Sequence, residues 1–294
     1  SSQNLKSASP SEWETIEYEN NVIAFCGERG EGKSSVMMSF LRETLRVQST
    51  GRSSTLFDDD SIIRKAYFAQ PVVIDPSFFD DLHNVVENVL AQMFRNFMSE
   101  HDKDSSRHRE GRSGQYEELL RLFQKVYGRI SLIKDSKSML SEEFDFEGNL
   151  SKLKKLSESL DTRSDIERLV DEYLKFMQER ESTESTYSIR KLLIVIDDLD
   201  LASTNVYGMA EQIRKYLVVP NVVVVLALRM TQFQYCIEEQ NLSDYDKLAG
   251  LSGKENGQIR AEIREMAEKY AAKLIPVAHR VYLPKIQDIE DVHV

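Results

Sequence analysis

Eight consecutive residues, Gly27-Glu28-Arg29-Gly30-Glu31-Gly32-Lys33-Ser34, fit the spacing G-x-x-x-x-G-K-[ST]. An apolar run, Val22 to Cys26, precedes them, and a helical pattern from Ser35 to Arg46 follows. In that strand–loop–helix setting these residue types do one kind of chemistry: they hold a polyphosphate. Glycines let successive backbone N–H groups turn inward as an anion nest, and the start of a helix adds its positive end. Gly27, Glu28, Arg29, Gly30, Glu31, Gly32, Lys33, Ser34 and Ser35 are the expected nucleotide-binding residues. Lys33 is expected to reach the β and γ phosphates, and the Ser34 hydroxyl to ligate Mg²⁺. The bland alternative is a Gly-rich turn that caps a helix, and a second motif in the same chain weighs against it.

That motif is Leu-Leu-Ile-Val-Ile-Asp-Asp-Leu-Asp at 192–200. An unbroken apolar run is what a strand buried on both faces requires, and the acids begin where the strand emerges. Asp197 is expected beside the phosphate loop, holding Mg²⁺ directly or through water. Asp198 is expected to polarise the attacking water as a general base. Lys33 and Asp198 are thus the catalytic candidates, with Ser34 and Asp197 on the metal. Asp200 reads more readily as a cap for the helix that starts near Asn205 than as a further catalytic acid. A strand at Val222–Leu228 ends on Arg229. If that strand lies between the two motifs, its tip faces the γ phosphate and Arg229 is a sensor of the charge lost on hydrolysis. An outward salt bridge from Arg229 is the equal alternative. Trp13 as a base-stacking residue is outweighed by an ordinary clamp aromatic. The acids Asp58, Asp59 and Asp60 read as a solvated loop or helix cap, since no further ligands follow at a regular spacing.

The elements that must position these groups follow from periodicity. Strands are predicted near 22–26, 71–75, 192–196, 222–228 and 280–283. Helices are predicted near 33–47, 79–101, 115–133, 164–180, 205–217, 232–240 and 258–273, with a shorter one over the leucines at 150–160. Leu82, Val85, Val86, Val89, Leu90, Met93, Phe94 and Phe97 recur at helical spacing and read as core. The stretch from about 102 to 185 is far longer than a βαβ crossover needs. It is predicted to be a helical insertion, read equally as a lid or partner-binding module and as padding of the sheet face.

The chain has 294 residues, 41% of them hydrophobic, which is enough to fold as one large α/β domain. Its net charge of −11 argues against a sequence-independent nucleic-acid surface spread over the domain. Cys26 and Cys236 form no disulfide or zinc framework, and a reducing, cytoplasmic setting is the default. No stretch is apolar enough to span a bilayer, and residues 1–6 do not read as a signal peptide. The chain begins without Met. A piece of a longer protein is expected, with residues 1–20 as a polar lead-in to the domain.

The residues Ile196 to Asp200, the helix near 205–217, the run Val219 to Leu228 and the later segments Tyr270–Pro276 and Val281–Pro284 resemble the KAP family of P-loop NTPases, relatives of the STAND and AAA+ ATPases. The resemblance covers roughly 20–100 and 190–285 and leaves the insertion outside. It implies a three-layer α/β sandwich with a mostly parallel five-stranded sheet in the order 5-1-4-3-2. It implies Mg²⁺-dependent ATP binding and hydrolysis driving a conformational switch or oligomeric assembly, as in bacterial phage defence. Leu201 stands where the family often has Arg, and Arg229 where it often has Asp. The alternatives are a nucleotide-gated scaffold with little turnover and an ATP-dependent nucleic-acid motor or loader. A GTPase is disfavoured because no [NT]-K-x-D run follows the strand at 222–228, and a small-molecule kinase stays open. A homo-oligomer is expected, with a protein partner engaged through the insertion or through further domains.

Overall fold

The computed structural model describes residues 20–50, 66–76, 85–105, 113–138, 161–181, 187, 189–201, 205–249 and 256–284. Trp13, the acids at 58–60 and the leucine helix at 150–160 lie outside these residues.

Strand β1 (Val22–Cys26) leads through the glycine loop into α1 (Lys33–Thr50). Two three-residue strands follow, β2 (Ala66–Phe68) and β3 (Val72–Ile74), and then α2 (Val85–Ser105). Helices α3 (Ser113–Ser138) and α4 (Thr162–Glu181) precede β4 (Ile189–Ile196). A 3₁₀ turn at Leu199–Leu201, α5 (Val206–Gln212) and a π turn at Ile213–Leu217 lead to β5 (Val222–Leu228). Helices α6 (Met230–Ala249) and α7 (Asn256–Leu274) and the short β6 (Arg280–Tyr282) complete the order.

The strands form one mostly parallel six-stranded sheet ordered β2-β4-β5-β1-β6, with β3 also paired to β4. The expected five strands in the order 5-1-4-3-2 are thus corrected to six: β6-β1-β5-β4 follow one another as expected, but the short β2 is added and shares the edge of β4 with β3. The outer edge of β4 carries two short strands, with β2 on Ile189–Lys191 and β3 on Ile194–Ile196. The break between them falls at Ala69-Gln70-Pro71, and Pro71 has no N–H to offer a ladder. Ala69 still donates to the Lys191 carbonyl at 3.1 Å, so the edge stays attached through the break.

Strand period sorts the core into two layers. Val22, Ala24 and Cys26 of β1, Leu192, Ile194 and Ile196 of β4, and Val222, Val224 and Leu226 of β5 face one side. Phe25, Leu193, Val195, Val225 and Ala227 face the other, against Met37 and Leu41 of α1. Burying each such aliphatic side chain contributes about 1.5–3 kcal/mol, which is why the central strands can be apolar throughout. Asn21 ties β1 to β5 at their starts: its Nδ2 donates to the carbonyls of Val219 (2.9 Å) and Val222 (2.6 Å).

The described helices of the insertion, α3 and α4, belong to the first layer. Leu119, Phe123 and Val126 of α3 and Leu169, Tyr173 and Met177 of α4 are buried in the same cluster as the sheet. Aromatic rings lock the layer, with Phe97 of α2 4.8 Å from Phe176 and 5.1 Å from Tyr116 between centroids. Asp165 of α4 is buried and ion-paired to Lys125 and Arg129 of α3. Helix α4 packs on β4, and α3 lies on α2 and α4, each burying one apolar stripe. Helix α6 runs to Ala249, well past the predicted end near 240. No helix among the described residues is long and apolar enough to cross a membrane.

Candidate functional site

The site lies where β1, β4 and β5 end. All three strands run parallel, so their C-terminal tips and the loops that follow meet at one edge of the sheet. Gly30 and Gly32 have φ of 88° and 84°, a left-handed backbone that side chains resist and that turns the loop over the start of α1. The Glu28 N–H donates to the Glu31 carboxylate, and the Glu31 N–H to the Glu28 carbonyl, closing the loop on itself. Val36 donates to the Gly32 carbonyl at 2.9 Å, which starts the helix directly beneath. Lys33 is only 8% exposed, and its Nζ donates to the Glu28 carbonyl at 3.0 Å. The ammonium therefore folds back along the loop rather than out into solvent.

Ser34 Oγ donates to Asp197 Oδ1 at 2.9 Å across 163 residues of sequence. The same carboxylate oxygen accepts the Asp198 N–H at 3.0 Å, and the Asp197 N–H donates to the Ile74 carbonyl at 2.9 Å. Asp197 is thus held from β3 on one side and aimed at the loop on the other. Asp198 adopts φ of 45°, a left-handed conformation that costs a non-glycine residue on the order of 1 kcal/mol. Its carboxyl is pushed above the ordinary range by burial and by the Asp197 charge, with Lys33 pulling the other way. The Asp75 carboxylate also raises it and Arg29 lowers it, so both stand within electrostatic reach.

Arg229, at the tip of β5, pairs through Nη1 with Glu28 Oε2 at 3.2 Å, and its Nε donates to Thr231 Oγ1 at 3.1 Å. Its guanidinium reaches the glycine loop, but on the flank next to β6. There Cys26, Glu28, Glu31, Met230, Thr231 and Tyr282 line a cavity of about 190 Å³.

The structure brings together Gly27 to Ser34, Asp197, Asp198 and Arg229, and Ser35 follows in the first turn of α1. Asp200 does not cap the following helix. The Asn205 side chain caps α5 by accepting the Gly208 N–H at 3.1 Å. Asp200 lies instead in the buried 3₁₀ turn, which packs against β5 and α6, and its Oδ1 has no hydrogen-bond partner among the described residues. Asp75 was missed as a member of the site. The signal was present, because Val72-Val73-Ile74-Asp75 repeats in small the apolar-run-then-acid pattern of β4.

The donor set fits a small hard cation. Among the described residues no three His, Cys, Asp or Glu side chains converge as a cage. A hydroxyl and one carboxylate side by side are what Mg²⁺ takes from protein when phosphates and water supply the rest. Compared with protein-family models and with curated proteins, the chain has no match in either.

Proposed function

We propose that this chain binds Mg·ATP at the glycine loop and hydrolyses it, and that the cycle drives a conformational switch or an assembly step. The observation that carries the reading is the contact of Ser34 Oγ with Asp197 Oδ1, beside a lysine held within the same loop. Two motifs recognisable separately in the sequence meet at hydrogen-bond distance, which a chance glycine turn would not require.

In this reading Lys33 and the loop amides bind the β and γ phosphates. Ser34 and Asp197 hold the Mg²⁺, which when bound neutralises charge on the phosphate oxygens. Asp198 takes a proton from the attacking water, a role worth about 10²–10⁴ in rate. Arg229 reads the γ phosphate, exchanging Glu28 for it. Catalysis comes from positioning and charge stabilisation, with no covalent step. A P-loop NTPase sandwich of the KAP type, a homo-oligomer and a role in phage defence are the wider form of this proposal, and they rest on the resemblance of 196–200 and 219–228.

One observation favours a second reading, a nucleotide-gated scaffold that binds without cycling. The Arg229 guanidinium already has partners in Glu28 and Thr231, which competes with sensing. Single-turnover phosphate release from Mg·ATP separates the two, with Asp198→Asn as the comparison. Release by the wild type that falls at least about 100-fold in the variant, at unchanged nucleotide affinity, supports hydrolysis. Tight binding with no release in either supports the scaffold, and absence of Mg·ATP binding overturns both.

A further inference from the structure

No step of that hydrolysis uses Glu31, yet a carboxylate in a loop that receives a polyphosphate repels its ligand by charge and calls for a compensating role. Its contacts show what it holds. Glu31 meets Glu28 twice: its carboxylate accepts the Glu28 N–H, and its own N–H donates to the Glu28 carbonyl at 3.3 Å. A side chain that reaches three residues back to a backbone N–H makes the bond of a capping box, in which Glu and Gln both serve. The ring so closed encloses Arg29 and Gly30, and Gly30 takes the positive φ of 88° at the third position of the turn, where glycine is favoured. The same Glu28 carbonyl accepts Lys33 Nζ at 3.0 Å, so the lysine of the loop is held by the turn that Glu31 closes.

A Cβ placed on Gly27 would come 2.7 Å from Glu31 Oε2, so the carboxylate rests against the start of the loop. Gly27, Glu28, Glu31 and Arg229 together line the cavity on the β6 flank. Ser34, by contrast, turns to Asp197 at the tip of β4. Glu31 therefore braces the loop from the flank away from the acids, and Arg229 adds to the brace by pairing with Glu28 Oε2 at 3.2 Å. We infer that Glu31 is a positioning residue: its carboxylate fastens Glu31 to Glu28 and so presets the glycine loop in its anion-binding shape before the ligand arrives. A loop left open would have to be ordered on binding, and preorganisation removes that cost from the affinity. The affinity part of this inference rests on the Mg·ATP-binding reading, while the holding of the loop does not.

The test compares Glu31→Ala with Glu31→Gln. Both remove the same charge and only glutamine keeps an acceptor of the same reach, so their difference isolates the contact with Glu28. Amide hydrogen exchange at Glu28 is read on the nucleotide-free protein, and affinity for a non-hydrolysable ATP analogue with Mg²⁺ is read by calorimetry. In the wild type the Glu28 amide should exchange at least about tenfold more slowly than an open loop amide. Glu31→Ala should abolish that protection, and Glu31→Gln should keep most of it. The alanine variant should bind the analogue about 3- to 10-fold more weakly than the glutamine variant, the worth of one net hydrogen bond. Glu31→Ser, too short to reach Glu28, serves if the alanine variant does not fold. Affinities of the two variants within about twofold of each other, or tighter binding by the alanine variant, overturn the inference. So does an unprotected Glu28 amide in the wild type or in Glu31→Gln. A wild type that does not bind the analogue overturns the nucleotide reading alone, and exchange at the Glu28 amide then still decides whether Glu31 holds the loop.

Discussion

Replacing Lys33 by Ala tests the phosphate loop most directly, and the structure sets the size of the effect. The residue is 8% exposed and its Nζ already donates to the Glu28 carbonyl at 3.0 Å. Part of the cost of stripping water from the ammonium is therefore met in the folded protein before any ligand arrives. Two unit charges about 4 Å apart attract by about 4 kcal/mol at an effective dielectric constant of about 20, and by about 1 kcal/mol in water. A charge-assisted hydrogen bond nets about 1.5–3 kcal/mol after its remaining costs. Lys33→Ala should thus weaken nucleotide binding by about 10- to 150-fold. The assay is calorimetric titration with Mg²⁺ and a non-hydrolysable ATP analogue at fixed ionic strength. Thermal denaturation must accompany it, because the buried stem of Lys33 also packs. A loss of about 1 kcal/mol there should move Tm by only about 2–4 °C in a domain of this size. A folded variant that binds the analogue within about threefold of the wild type would refute the placement of Lys33 at the phosphates.

Other expectations follow from particular contacts. Glu211 accepts hydrogen bonds from Arg214, Lys215 and Tyr270. Burial alone would raise its pKa, but these three donors outweigh it and hold the carboxyl down to about 2. A depressed folded pKa gives stability that is complete above the ordinary carboxylate range, near 4.5, and is lost as pH falls towards 2. Glu211→Gln should therefore remove on the order of 2–3 kcal/mol at neutral pH and flatten the acid limb of the stability profile, and equal slopes in both proteins would contradict this. Asp165→Ala strips the counter-charge from Arg129 and Lys125 and should destabilise by about 3–5 kcal/mol in chemical denaturation, and a loss under about 1 kcal/mol would contradict the buried pairing. Gly32→Ala meets no atom within 4 Å, so its penalty is the positive φ alone, about 1–2 kcal/mol, measurable as a modest fall in Tm.

Much of the site was legible because its chemistry is local. The loop from Gly27 to Ser34 takes its shape from two glycines at fixed offsets and a helix that begins at Lys33, all within eight residues. β5 and the Leu192–Ile196 part of β4 were legible for a different reason: strand residues covered on both faces must be apolar at every position, and the acids had to wait for the strand to end. The α/β class with a mostly parallel sheet was what the resemblance implied, and the parallel pairings of β1, β4, β5 and β6 agree with it. β2 was not legible, since three residues hold no period, and Ala66–Phe68 is a strand only because the start of β4 lies beside it. The role of Asp200 misled for a related reason. An acid five residues before Asn205 resembles a cap, and only the packing of its turn on β5 and α6 buried it instead.

By itself, then, the sequence determined which groups stand ready in this protein: a glycine loop, Lys33, a hydroxyl and a pair of acids at a strand end. Tertiary structure decided who meets whom. Strand order sets β5 between β1 and β4, so Ser34 reaches Asp197, and Arg229 spends its charge on Glu28, 201 residues earlier. Those partnerships have no period or spacing to betray them. They arise when parallel strands deliver their tips to one edge, where charges far apart in the chain come within a few ångströms and must be neutralised or satisfied there.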